Sequence, residues 1–98
     1  MYLSIVTKHI NISDHVNGFL IHKINEIEKY NNKIINCKLF INRDKHNITT
    51  EIFVHTKLHD FFCKDTSTNV EKAFISSLSK MKSQLSKFHS KRLSKRRN

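Results

Sequence analysis

Two runs of β-branched and aromatic residues, 34–42 and 48–56, constrain the fold most, because only a short polar stretch separates them. Runs of this composition favour strands, and so short a connection joins neighbouring antiparallel strands. The sequence therefore predicts a hairpin that turns within residues 43–47. Residues 59–65 continue the pattern and predict a third strand of the same meander.

Two other segments repeat their apolar residues at helical spacing. The first spans residues 14–30 and follows Ser13, whose hydroxyl can cap a helix N-terminus. The second runs from about residue 69 to about residue 92, and a Thr68–Glu71 capping box precedes its apolar series. That series lies within about 80° of arc at 100° per residue, which predicts one buried face.

A short strand around Leu3 and Ile5, ending near Thr7, completes the order β-α-β-β-β-α. A strand–helix–strand connection makes its two strands parallel neighbours, whereas the meander is antiparallel. The prediction is an α+β two-layer sandwich, with two helices packed on one face of a four-stranded mixed sheet. Residues 1–92 form its single domain, and residues 93–98 a basic flexible C-terminal tail.

Charge is distributed unevenly along the chain. The net charge is +10, and part of the lysine excess is attributable to codon bias, since the chain has 14 Lys and only 4 Arg. Codon bias would not remove acids from one end, yet nine basic residues and no acid follow Glu71. A segment whose charged side chains are all basic favours a polyanionic partner, and the commonest polyanion in cells is nucleic acid.

Several classes of protein are excluded. No apolar run approaches the roughly 18 residues of a membrane-spanning helix, and no secretory signal is visible, so a cytoplasmic protein without a membrane partner is expected. The two cysteines are too few for a disulfide scaffold. One glycine rules out a glycine-rich phosphate loop, and the scattered acids offer no catalytic pair. We expect no enzyme activity, catalytic residue, cofactor or small-molecule substrate.

The second helix is the best candidate site. Lys72, Lys80, Lys87 and Lys91 lie on one flank of its apolar stripe and Lys82 on the other, with serines between them. Short hydroxyl side chains let a helix approach a phosphate backbone closely. A solvated helix face is the alternative, but acids four residues away would then be expected to pair with the lysines, and none occurs.

Two further patterns have structural explanations. His55, His59 and Cys63 have zinc-like spacing, but on a strand, a turn and a strand they would not converge, so no metal site is predicted. Phe53, Phe61 and Phe62 could stack on nucleobases or belong to the core. The adjacent pair Phe61–Phe62 must point to opposite faces of a strand.

Element order and particular residues together resemble the ribosome hibernation promoting factor family, in its short form. The opening I-V-T-K-H-I-N-I-S resembles the family's first strand, and residues 23–30 resemble its K-L-x-K-L-E-K-Y signature. Ala73 to Lys91 fit the family's pattern for the second helix at unchanged spacing. Asn69 and Glu71 depart from it, standing where the family usually has Asp and Tyr.

The resemblance implies binding to rRNA of the small ribosomal subunit, in the decoding groove where tRNA and mRNA would lie. Translation would be inhibited by occlusion. Matching positions suggest rRNA contacts by Lys23, Lys80, Lys87 and Lys91, and charge alone adds Lys8, Lys82 and Arg92. Long members of the family carry a dimerisation domain, for which this length leaves no room. Ribosome dimers would need a separate partner protein, and the chain off the ribosome is expected to be a monomer.

Two alternatives stay open at this point. A general double-stranded RNA-binding module would also place two helices on such a sheet, and would bind isolated duplexes of about 16 base pairs. A structural or protein-interaction domain whose charge reflects codon bias is the other.

Overall fold

The structure, a computed structural model, describes the backbone of residues 1–31 and 33–96 and the side chains of residues 1–31 and 33–88. Its elements follow the predicted order β-α-β-β-β-α. The strands are β1 (Tyr2–Lys8), β2 (Ile34–Asp44), β3 (Asn47–Thr56) and β4 (Asp60–Ser67), and the helices are α1 (Asp14–Ile24) and α2 (Val70–Arg96). Neither helix is both long and apolar enough to span a membrane over the described residues.

The four strands form one mixed sheet in the order β1-β2-β3-β4. β1 and β2 are parallel, whereas β2–β3 and β3–β4 are antiparallel, as the crossover and the meander predicted. The hairpin turn is tighter than the polar stretch suggested, because Asp44 still pairs with Asn47. Lys45 and His46 alone make the turn, and Lys45 has the positive φ of 57°.

One face of the sheet carries the core and both helices. Its buried side chains alternate along the strands and meet those of the helices in one cluster, which includes Leu39, Ile52, Val54, Leu20 and Phe74. The residues between them point away from the helices, to a surface that we call the open face. The predicted two-layer α+β sandwich is confirmed.

α1 is shorter than predicted. Ser13 caps it as expected, because its hydroxyl accepts a hydrogen bond of 3.1 Å from the backbone N–H of Val16. The α-helix ends at Ile24, and a 3₁₀ helix, Asn25–Lys29, continues the chain. The apolar residues whose spacing predicted one helix to residue 30 still belong to the core, since Ile24 and Ile27 are both fully buried. Tighter winding over the last turn is common at helix C-termini.

α2 departs from the prediction at both ends. Its cap is Asn69, whose side-chain oxygen accepts from the backbone N–H of Lys72 at 3.2 Å, so the Thr68–Glu71 capping box was misplaced by one residue. The helix continues through Arg96, beyond the expected end near residue 92. No glycine or proline interrupts it there, and basic residues are favourable at a helix C-terminus. The remainder of the predicted tail, residues 97 and 98, lies outside the described residues.

A buried polar cluster fixes α2 against the sheet. The Thr50 hydroxyl donates to the backbone carbonyl of Ala73 at 2.9 Å and lies 2.8 Å from the hydroxyl of Ser77. The thiol of Cys63 donates to the backbone carbonyl of Ser77 at 3.0 Å. These contacts tie β3 and β4 to the N-terminal part of α2, which sets the side of the helix that is exposed.

Candidate nucleic-acid interface

The exposed side of α2 is basic. It presents what we call the basic face, formed by Lys72, Ser79, Lys80, Ser83, Ser86 and Lys87, all exposed. This side is left outward because the opposite side of the helix supplies Phe74, Leu78, Met81 and Leu85 to the core. From Lys72 to Lys87 the helix rises about 22 Å, at about 1.5 Å per residue. The basic face thus offers cations and hydroxyl groups along a length suited to a polyanionic backbone.

Acids from other elements reach some of the predicted lysines. The Lys80 ammonium lies 3.1 Å from a carboxylate oxygen of Asp65 on β4, and 3.3 Å from the backbone carbonyl of Lys64. Asp65 also accepts a short hydrogen bond from the Ser76 hydroxyl. The hydrogen bond from Ser76, and next that from Lys80, lower the pKa of Asp65 to about 2. Lys80 is therefore both exposed and tied to a carboxylate.

Lys23 and Lys82 share one carboxylate. Lys82 donates to Glu26 at 2.8 Å, and the Lys23 ammonium lies 3.6 Å from the other oxygen of the same side chain. The hydrogen bond from Lys82 is the largest cause that lowers the pKa of Glu26. This cluster joins α2 to the 3₁₀ helix and partly neutralises two of the predicted contact residues. Neither pairing was predicted from the helical spacing of α2, because Glu26 belongs to another element.

Lys8 lies apart from this group. It ends β1 and is paired in register with Asn42, in the set of residues that point to the open face. The structure therefore does not bring Lys8 together with the helix lysines. The side chains of Lys91 and Arg92 lie outside the described residues, although the backbone of α2 passes through both positions.

Lys72 lies on the predicted lysine flank of α2 but was not among the residues predicted to contact rRNA. It is exposed and, like Lys87, forms no ion pair with the side chains described for residues 1–31 and 33–88. It also borders a groove between α1 and α2 with an apolar floor of Phe19 and Ile75. The helical angle placed Lys72 on the same flank as Lys80 and Lys87, which was the signal available in the sequence.

The two cysteines and the histidines near β4 do not form a catalytic or metal-binding arrangement among the described residues. Burial raises the pKa of the Cys37 thiol to about 12 and that of Cys63 to about 11, so neither is an activated nucleophile. His59 stacks on Phe88 with ring centroids 5.1 Å apart. His55 contacts Asp60 at 2.5 Å. No group of three metal-ligating side chains forms among the described residues, and His55, His59 and Cys63 do not converge.

Fold and surface together define a small basic α+β domain whose exposed helix face suits a polyanion. The solved structures that share its fold include two that cover nearly the whole chain. One is the N-terminal domain of Protein Y from Thermus thermophilus, with a TM-score of 0.82 and 13% identity over 90% of this chain and 99% of that chain. The other is a ribosomal subunit interface protein from Coxiella burnetii, with a TM-score of 0.85 and 18% identity over 92% of this chain and 99% of that chain.

The family follows from the sequence. The model of the sigma 54 modulation protein / S30EA ribosomal protein family matches residues 3–93, and the chain belongs to this family. No curated protein matches the chain. The resemblance noted from the residues is thereby confirmed at the level of the family.

Proposed function

We propose that the protein is a ribosome hibernation factor. It binds the small ribosomal subunit through rRNA in the decoding groove and excludes tRNA and mRNA, which inhibits translation and keeps the ribosomes inactive and intact. The observation that carries this proposal is the basic face of α2, exposed on a domain whose family and fold relatives are named for the ribosome. The site of action would be the cytoplasm.

The geometry supports recognition of backbone and shape. Lysines meet phosphates as point charges, and the serines between them donate hydrogen bonds at close range. Lys72 and Lys87 are the strongest candidates because no carboxylate competes with a phosphate for them among the described side chains. Lys80 would exchange Asp65 for a phosphate. Lys23 and Lys82 would do so with Glu26, and Lys91 and Arg92 would extend the contact along α2.

The mechanism requires occupancy alone. No cofactor, metal or small-molecule substrate takes part, and inhibition ends when the protein dissociates. We expect a monomer off the ribosome. Any pairing of inactive ribosomes would depend on a separate partner protein.

Competition on purified small subunits tests the proposal. Subunits programmed with mRNA and labelled tRNA are titrated with the protein, and retained tRNA is measured by filter binding. We expect tRNA retention to fall as the protein saturates the subunit, and excess tRNA to displace the protein. If the protein and tRNA bind the same subunit together, occlusion is wrong.

An isolated 16-base-pair RNA duplex separates this proposal from a general duplex-binding module. The ribosomal proposal expects the duplex to compete poorly with small subunits for the protein. Equal affinity for the duplex would identify a general double-stranded RNA-binding module.

A further inference from the structure

Two phenylalanines lie side by side on the open face of the sheet. Phe53 on β3 is paired in register with Phe62 on β4, so their Cβ atoms are about 5 Å apart. They are 39% and 51% exposed, whereas Phe61, which precedes Phe62, is 5% exposed and belongs to the core. Neither exposed ring forms an aromatic pair within the described part of the chain. Part of each ring is thus available to another planar group.

A cation completes the row. Lys38 on β2 is the register partner of Phe53, and Ser4 on β1 is the partner of Lys38. Lys38 is exposed and forms no ion pair with the side chains described here. One line across the sheet therefore holds two aromatic rings, an ammonium group and a hydroxyl, without an acid. We call these four residues the aromatic row.

Acids on the open face are set to either side of this row. Asp60 contacts His55 at 2.5 Å, and Glu51 is the register partner of Lys64. The cation next to the rings therefore stays available for an anionic group. Rings for planar groups beside a cation for the linking phosphate match the chemistry of single-stranded nucleic acid.

We propose that the aromatic row binds single-stranded RNA by stacking bases on Phe53 and Phe62, with Lys38 meeting the phosphate between them. This site is distinct from the basic face of α2, since the sheet separates the two surfaces. The protein would hold structured RNA with its helices and an unpaired strand with its open face. The inference goes beyond hibernation by occlusion and does not depend on it.

The test compares two labelled probes by fluorescence anisotropy. One is a ten-nucleotide oligoadenylate, and the other is an abasic chain of the same length, with the same phosphates and no bases. Stacking is worth a factor of roughly 5 to 150 per base. We expect the wild-type protein to bind oligoadenylate at least about tenfold more tightly than the abasic chain.

Variants locate the effect. Phe53→Leu and Phe62→Leu keep an apolar side chain but remove the ring, and each should reduce the preference for oligoadenylate several-fold. Phe62→Tyr keeps an aromatic ring and should keep the preference. Leu58→Ala, in the turn between β3 and β4, removes an exposed apolar side chain away from the row and is the matched control. Thermal melts followed by circular dichroism verify that each variant is folded.

Four results would overturn the proposal. The wild type could bind both probes equally, or the leucine variants could keep the full preference. The preference could instead disappear in Lys72→Glu/Lys87→Glu, which would place base recognition on α2. Finally, sedimentation velocity could show that the wild type self-associates and the leucine variants do not, making the open face a dimer interface. None of these outcomes bears on tRNA competition, so the two proposals fail independently.

Discussion

Thr50 has the clearest structural role of any single residue. Its hydroxyl is fully buried and holds both the Ala73 carbonyl and the Ser77 hydroxyl of α2. Its neighbour Thr49 points to the open face and contacts Thr66 at 3.0 Å. Thr50 therefore faces α2, whereas the adjacent Thr49 faces solvent. The same substitution at the two positions compares a buried hydroxyl with one on the open face.

Thr50→Val should destabilise the fold, because valine fills the space but removes the hydroxyl that hydrogen-bonds to the Ala73 carbonyl and the Ser77 hydroxyl in the buried interface. The expected loss in free energy of unfolding is about 1–3 kcal/mol. Thr49→Val should change it by less than about 0.5 kcal/mol. Urea denaturation followed by circular dichroism measures both. A loss in Thr49→Val as large as that in Thr50→Val would contradict this account of the helix–sheet contact.

Asp65 links acid stability to the basic face. Its pKa of about 2 lies below the ordinary value of 3.8, chiefly because Ser76 and next Lys80 hydrogen-bond to its ionised form. A lowered pKa contributes stability that is present at pH above about 4 and is lost as the pH falls through about 2. The stability difference between wild type and Asp65→Asn should therefore be constant near neutral pH and disappear in acid.

Carboxyl NMR titration checks the cause directly. The Asp65 midpoint should lie near pH 2 in the wild type and move upward in Ser76→Ala, which removes the largest contribution. A wild-type midpoint near the ordinary value would show that the Ser76 and Lys80 contacts do not hold in solution.

At the scale of elements, Asn69 and Thr68 are alternative candidates for the N-cap of α2. Asn69 accepts from the N–H of Lys72, while Thr68 is exposed and precedes the helix. Asn69→Ala should lower the free energy of unfolding by about 1 kcal/mol. Thr68→Ala should change it by less than about 0.5 kcal/mol. The urea midpoints of the two variants show which residue caps the helix. A larger loss in Thr68→Ala than in Asn69→Ala would support the Thr68–Glu71 capping box instead.

Much of the fold was predictable because its signals are local. Alternation in 34–42 and 48–56 and the stripe of α2 each need only a short window of sequence, and the parallel β1–β2 pair follows from the handedness of crossovers. The winding of residues 25–29 and the shift of one residue at the cap were not predictable. Both depend on small energy differences that tertiary packing decides.

The candidate site was only partly predictable for the opposite reason. Helical angles placed Lys72, Lys80 and Lys87 together correctly, since they belong to one element. The acids that meet Lys80 and Lys82 come from β4 and the 3₁₀ helix, and their approach depends on how the layers pack. Likewise, Lys8 was included on charge alone, and the strand alternation turns it to the other side of the sheet.

For the whole molecule, the sheet separates two surfaces of different character. The helix side exposes lysines and serines along α2, whereas the open face exposes aromatic rings beside Lys38. The net charge of +10 attracts any polyanion over long range and does not by itself select one. Selection would come from the arrangement of the basic face, so position should matter more than total charge.

Binding to purified small ribosomal subunits, followed by sedimentation through sucrose gradients over a series of salt concentrations, tests this most directly. Lys72→Glu/Lys87→Glu is compared with Lys45→Glu/Lys57→Glu, which changes the net charge equally at two exposed turn positions. We expect the wild type and the turn variant to co-sediment. The α2 variant should lose most of its affinity, with a salt slope shallower by about one per lysine. Equal binding by both variants, or a wild type that stays at the top of the gradient at physiological salt, would contradict the assignment of the basic face as the ribosome-binding surface.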